Sequence, residues 1–103
     1  MSEIRNGMRP IHPGEILREE FLRPLNHSAN ALAITLGVPA PRINDVARER
    51  RGITADTALR LACYFGTSAE FWMGLQADYD LRTAERAAND NLAKIRRRES
   101  AVA

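Results

Sequence analysis

Polar side chains that can contact nucleic acid are concentrated in one short stretch, residues 42–51. The guanidinium of Arg42 can donate two hydrogen bonds to a guanine edge or bind a phosphate, and the amide of Asn44 can pair with adenine. Asp45 repels phosphates unless it accepts from cytosine, and it can equally hold Arg42 or Arg48 in an ion pair. This combination predicts hydrogen-bonded contact with DNA, against the alternative of ordinary solvated side chains.

Residues before and after Arg42 extend the predicted contact surface. Three arginines within residues 48–51 are expected to meet phosphates, although the one glutamate among them weakens the local positive charge. Ser28 and Asn30 begin an earlier helix, whose free N–H groups can hold a phosphate. A plain helix-capping role explains Ser28 equally well, and the two roles are compatible because side chain and backbone act separately.

Three apolar residues, Pro39, Ala40 and Pro41, stand where a DNA-reading helix would begin. Ala40 and Pro41 favour contact with a thymine methyl group, or less base readout at that edge. The predicted DNA-contacting set is Ser28, Asn30, Pro39, Ala40, Pro41, Arg42, Asn44, Asp45, Arg48, Arg50 and Arg51.

Residue types that serve enzymes are scattered. His12, His27 and Cys63 form no CxxC, HxxxH or HExxH spacing, so we expect them to pack structurally and expect no metal or cofactor. Three glutamates within residues 15–20 follow helical spacing, which is typical of a solvated helix face. No nucleophile–base pair or glycine-rich phosphate loop is present, and the sequence therefore does not favour an enzyme.

Length and composition predict one small helical domain. The chain has 103 residues, of which 45% are apolar and only 6% aromatic, so the core must come mostly from aliphatic side chains. The single cysteine fits a reducing compartment, and no apolar run approaches the ~20 residues of a membrane helix. We therefore expect a cytoplasmic protein without membrane association.

Capping residues, glycines and prolines divide the chain into five predicted helices, the fifth being longer than the others. The predicted start signals are Pro13, Ser28, Pro39, Thr54 and Ser68, and the predicted end signals of the first four helices are Pro24, Gly37, Gly52 and Gly66. No segment has the alternating pattern of a strand, so the predicted fold class is all-α.

The second and third helices have the pattern of a helix-turn-helix motif, in which two short helices meet at a tight turn. Gly37 can adopt the positive φ of that turn, and Val38 can anchor the turn in the core. The predicted inward residues of helices two to four are Leu32, Ala33, Leu36, Ile43, Val46, Ala47, Ala58, Leu59, Ala62 and Phe65, with Cys63 on the same apolar side.

The fifth helix offers a candidate dimer interface. Phe71, Trp72, Leu75 and Tyr79 are most simply core residues, but two recognition helices about 34 Å apart are needed to match successive turns of duplex. We therefore predict that these four side chains form a dimer interface. The apolar stripe of residues 81–95 can extend this interface, bind another protein or fray, and the basic run 94–98 can contact DNA or only add solubility.

Three segments carry a resemblance to the HigA-type antitoxins of the XRE, or lambda-repressor-like, helix-turn-helix family. They read RPIHPGEILREEFL (9–22), SANALAITLGVP (28–39) and RRGITADTALRLACYFGTSAEFWMGLQADYDL (50–81). The resemblance implies a five-helix lambda-repressor-like domain that binds a palindromic operator as a homodimer and represses its own operon. It also implies a HigB-type toxin, an mRNA-cleaving ribonuclease, as the protein partner.

This interpretation divides the chain into an N-terminal arm (1–11), a helix-turn-helix domain (12–80) and an extended C-terminal helix with a basic tail (81–103). Two alternatives remain open. One is a stand-alone transcriptional regulator without a toxin, and the other is a protein-interaction module that has lost DNA binding. Apolar Ala40 and Pro41 and acidic Asp45 favour the second alternative. Arg42 and the Arg50–Arg51 pair argue against it.

Overall fold

A computed structural model describes residues 9–99, and every regular element within them is helical. We label the helices α1 (Pro13–Ile16, continued by the π-helical segment Leu17–Leu22), α2 (Ala29–Leu36), α3 (Ala40–Ala47), α4 (Ala55–Phe65) and α5 (Ala69–Ala93). The predicted all-α class with five helices is confirmed. Residues 1–8 of the predicted arm and 100–103 of the predicted tail lie outside the described residues.

Three predicted caps begin their helices and two predicted glycines end theirs, as expected. The hydroxyl oxygens of Ser28, Thr54 and Ser68 accept hydrogen bonds from backbone N–H groups in the first turns of α2, α4 and α5. Gly37 (φ 73°) and Gly66 (φ 74°) adopt the left-handed conformation that ends α2 and α4. Each cap satisfies backbone groups that helix ends leave unpaired, and this explains why local sequence locates these boundaries.

The π-helical segment of α1 was not predicted. Its backbone pairs residues five apart, as in the 3.0 Å hydrogen bond from Arg23 N to Arg18 O. This repeat coincides with the burial of Leu17 and Leu22, which are also five residues apart. Leu25 follows Phe21 by four residues, a spacing that predicts the same apolar helix face, but it is 58% exposed in the turn that follows.

The core lies where α1, α2, α3 and α4 meet the start of α5. Fully buried Leu32, Ile43, Leu61 and Trp72 are among its largest side chains. Two sequence-based assignments on α4 are corrected by this packing. The core side of α4 is formed by Ala58 and Leu61, so Leu59 and Cys63 are exposed to solvent.

The end of α3 also differs from expectation. The helix ends at Ala47, and the positive φ after it belongs to Glu49 (65°) rather than to Gly52. Gly52 instead lies close to α5, where an added Cβ would come within 2.9 Å of the end of the Gln76 side chain. Gln76 accepts a hydrogen bond from Ile53 N at 2.6 Å and so fixes the loop between α3 and α4 against α5.

Helix α5 crosses the predicted boundary at residues 80/81 without a break, but its packing changes near there. Its first turns contribute Trp72 to the core, whereas Leu81, Leu92 and Ile95 beyond it are all about half exposed or more. Helix α5 is therefore continuous across the predicted boundary, and only the burial of its side chains changes along its length. Among the described residues, no helix combines the length and apolar character required to cross a bilayer.

Candidate nucleic-acid interface

Helices α2 and α3 and the turn between them have helix-turn-helix geometry. The turn is closed by hydrogen bonds from Gly37 N to Ile34 O (3.1 Å) and from Val38 N to Ala33 O (3.0 Å). Ala33 is fully buried beside α3, where a larger side chain would push the helices apart. One face of α3 is buried through Ile43 and Val46, so the opposite face of the helix is left for binding.

Arg42 lies in the first turn of α3 and is held by an acid on another helix. Its Nη1 is 2.5 Å from Oδ2 of Asp56, in the first turn of α4. The same carboxylate oxygen accepts from Arg60 Nε at 2.9 Å, and Arg60 Nη1 donates to the Leu36 carbonyl at the end of α2 (2.8 Å). The Arg60 and Arg42 guanidiniums hold the pKa of the Asp56 carboxyl below its usual range, so Asp56 stays ionised.

We call this chain of contacts the Asp56 network, formed by Arg42, Asp56, Arg60 and the Leu36 carbonyl. It links the end of α2, the start of α3 and the start of α4. This network was not predicted from the sequence. The i,i+4 spacing of Asp56 and Arg60 was a visible signal for half of the network, but its contact with Arg42 depends on how α3 and α4 pack.

Asn44 and Asn30, predicted separately as DNA contacts, lie together. Asn44 Nδ2 donates to Asn30 Oδ1 at 2.6 Å and to the Ala40 carbonyl at 3.1 Å. The bond orients an amide on α3 against the first turn of α2. The structure therefore brings the outward residues of both helices into one continuous surface.

The acids near α3 have specific basic partners. Asp45 pairs with Arg51 at 3.5 Å and with neither of the arginines first considered for it, Arg42 and Arg48. Glu49 pairs with Arg18 of the π-helical segment at 3.2 Å, which offsets the negative charge expected to weaken this region. Arg48 and Arg50 are exposed beside them.

The apolar start of α3 is divided between core and surface. Ala40 packs partly against the core, so its methyl is less available for the predicted thymine contact. Pro39 and Pro41 are exposed, and Pro39 precedes the first helical residue. Ser28 uses its hydroxyl as the α2 cap, accepting from Ala31 N at 3.0 Å.

The first helix holds the other end of α3 in place. Gly14 approaches α3 so closely that a Cβ there would collide with the backbone carbonyl of Val46. Arg18 Nη1 donates to the carbonyl of Ala47, the last residue of α3, at 2.5 Å. Neither contact could be predicted from the sequence, because each depends on how α1 packs against α3, about 30 residues later in the chain.

The two histidines have structural partners. His12 is buried and its Nδ1 accepts from Gly14 N at 2.8 Å, which caps α1, while burial lowers the pKa of its imidazole. His27 Nε2 lies 3.0 Å from the Tyr64 hydroxyl. Within residues 9–99, no three histidine, cysteine or acidic side chains are grouped as metal ligands would be.

The predicted dimer interface requires one correction. Trp72 is fully buried within its own chain, where its Nε1 donates to Thr67 Oγ1 at 2.7 Å, so its side chain cannot lie on a surface between two chains. Leu75 is partly buried against the core, and Tyr79 contacts His12 with ring centroids 4.8 Å apart. Phe71 is the most accessible of the four at 40% exposure.

Solved structures and curated sequences resemble this chain. No protein-family model matches it. Pseudomonas aeruginosa antitoxin HigA, solved with the higBA promoter, is 55% identical with a TM-score of 0.83, over 85% of this chain and 97% of that one. Antitoxin GraA, solved with its operator, is 51% identical with a TM-score of 0.84, over 90% of this chain and 95% of that one.

Among curated proteins, virulence-associated protein I of Dichelobacter nodosus is 59% identical over 79% of this chain and 75% of its own length. The structural matches extend over the helix-turn-helix geometry and nearly the whole length of the related chains. The chain therefore belongs to the HigA-type antitoxins of the XRE, or lambda-repressor-like, helix-turn-helix family.

Proposed function

We propose that this protein is a DNA-binding antitoxin that represses its own operon by binding a palindromic operator. The observation that carries the proposal is the outward surface of α2 and α3, on which Arg42 and the Asn30–Asn44 pair are held in fixed positions. Preorganised polar side chains lose less freedom on binding than mobile ones do, and this favours sequence-selective contact. Relatives solved with operator or promoter DNA support the same use of this surface.

Affinity and sequence choice come from different groups on this surface. Arg48, Arg50 and the first turn of α2 bind phosphates, which positions the protein without reading sequence. Arg42 and Asn44 read base edges in the major groove, with Pro41 at the apolar edge of the same helix. The protein acts by binding, not by catalysis, in the cytoplasm where its operator lies.

Two copies are needed to read two halves of a palindrome. A two-fold dimer places two α3 helices about one turn of duplex apart, and its symmetry matches that of the operator. The exposed Phe71 ring on α5, with Leu75 and Tyr79 along the same helix, remains the proposed dimer contact.

The second part of the proposal is neutralisation of a HigB-type, mRNA-cleaving toxin on a surface away from α3. Distal α5 and the segment that follows it support this part, because Leu81 and Leu92 on the helix and Ile95 after it are exposed and do not join the domain core. Co-expression with the small reading frame beside the gene is expected to give a stable co-purifying complex. Failure of every neighbouring product to bind would favour the stand-alone regulator.

Operator binding is tested by fluorescence anisotropy with duplex DNA from upstream of the gene and a scrambled duplex, each at two salt concentrations. We expect tight binding to the first duplex only, weakening steeply as salt rises because bound phosphates release counterions. Equal and weak binding to both duplexes would contradict the proposal and favour an interaction module.

Replacing Arg42 with alanine is expected to weaken operator binding by about 1–3 kcal/mol, because one base-reading guanidinium is lost. Arg86→Ala, which removes an exposed arginine from distal α5, is the matched control and should leave operator affinity unchanged. Unchanged affinity in Arg42→Ala would remove Arg42 from the interface.

A further inference from the structure

We propose that Asp56 is a specificity-determining residue, which holds the Arg42 guanidinium in one orientation before DNA arrives. Asp56 does this from α4, outside the helix-turn-helix motif itself. The inference rests on the proposed function, since it assigns Asp56 a role in how Arg42 meets the operator.

The geometry supports a positioning role because Asp56 is itself held by a second arginine, Arg60. Asp56 Oδ2 accepts from both Arg42 Nη1 (2.5 Å) and Arg60 Nε (2.9 Å), and Arg60 is anchored at the Leu36 carbonyl (2.8 Å). The carboxylate also lies in the first turn of α4, where the positive end of the helix dipole favours it. Arg42 is therefore restrained by a group connected to two other helices.

The same geometry means that Asp56 weakens binding to DNA of any sequence. Any phosphate or base that Arg42 reaches lies within about one side-chain length of this carboxylate, well inside the Debye length of ~8–10 Å. An unrestrained Arg42 would be free to bind the nearest phosphate of any sequence. Asp56 thus reduces binding to random DNA and favours the one orientation in which Arg42 meets its base.

The test compares Asp56→Asn with the wild type on operator and scrambled duplexes across a salt series. Asparagine keeps the size of the side chain but removes the charge that holds both arginines. We expect the ratio of operator affinity to scrambled affinity to fall about tenfold, and the salt dependence on scrambled DNA to steepen by about one phosphate contact.

Glu70→Gln is the matched control, because Glu70 occupies the first turn of α5 as Asp56 occupies the first turn of α4. Glu70→Gln should leave both the affinity ratio and the salt dependence on scrambled DNA unchanged. In an Arg42→Ala background, Asp56→Asn should no longer change the affinity ratio, since the residue through which Asp56 acts is absent.

Three outcomes would overturn the inference. The first is that Asp56→Asn tightens binding to both duplexes equally, which makes Asp56 only a repulsive charge. The second is equal weakening with an unchanged salt slope and a lower melting temperature, which makes it only structural. The third is an Asp56→Asn substitution that lowers the ratio of operator affinity to scrambled affinity equally with and without Arg42. A wild-type protein that does not prefer its operator would instead contradict the proposed function.

Discussion

Replacing Trp72 with alanine is expected to lower the free energy of unfolding by about 3–5 kcal/mol, because a fully buried indole leaves a large cavity. The ring contacts both Phe21 and Phe71, with centroids 5.0 Å from each, and the contact with Phe21 joins α1 to α5. The loss also leaves the Thr67 hydroxyl without its indole partner. For a domain of this size, 1 kcal/mol corresponds to about 4–8 °C in melting temperature, so the variant is expected to melt at least ~12 °C lower.

Thermal and urea unfolding measured by circular dichroism would test this value. Trp72→Phe retains an aromatic ring and loses the 2.7 Å hydrogen bond to Thr67, so it should be destabilised clearly less than the alanine variant. Phe71→Ala tests the dimer contact separately from the core, because the Phe71 ring is partly accessible. A Trp72→Ala protein as stable as the wild type would contradict the assignment of Trp72 to the core. A Phe71→Ala protein that stays dimeric by light scattering at low concentration would contradict the proposed α5 contact.

Replacing Gly14 with alanine is expected to destabilise the protein by about 1–3 kcal/mol and to weaken operator binding. In a helix, alanine ordinarily stabilises relative to glycine by about 0.5–1 kcal/mol, so the expected sign is reversed here. The added methyl would meet the backbone carbonyl of Val46, which accepts a hydrogen bond from Glu49 N and cannot turn away as a side chain can. Helix α1 must then move from α3, and the Arg18–Ala47 contact moves with it.

Gly74→Ala provides the matched control. Gly74 lies inside α5, and an added Cβ there meets no atom within 4 Å. That variant should gain about 0.5–1 kcal/mol by helix propensity, with operator affinity unchanged. Equal stability changes in Gly14→Ala and Gly74→Ala, measured by urea unfolding, would contradict the close contact between Gly14 and the Val46 carbonyl.

Local sequence determined the boundaries of most elements and the motif that carries binding. Ser28, Thr54 and Ser68 satisfy backbone groups within their own first turns, and Gly37 and Gly66 supply the positive φ at which two helices end. These are interactions over three or four residues, so a sequence pattern contains all the information they require. The same reasoning identified α3 as the helix with one buried face and one outward face.

Tertiary structure alone decided how the outward residues are oriented and which apolar residues are buried. Arg42 is held by an acid 14 positions later, Asn44 by an amide 14 positions earlier, and α3 by Gly14 and Arg18 of the first helix. The sequence left both a core and a dimer-interface role open for Trp72, and the packing of α1 and α4 around its ring places it in the core. The physical reason is that helical periodicity defines an apolar face but not the neighbour that covers it. Ion pairs between helices likewise depend on crossing geometry, which no local spacing encodes.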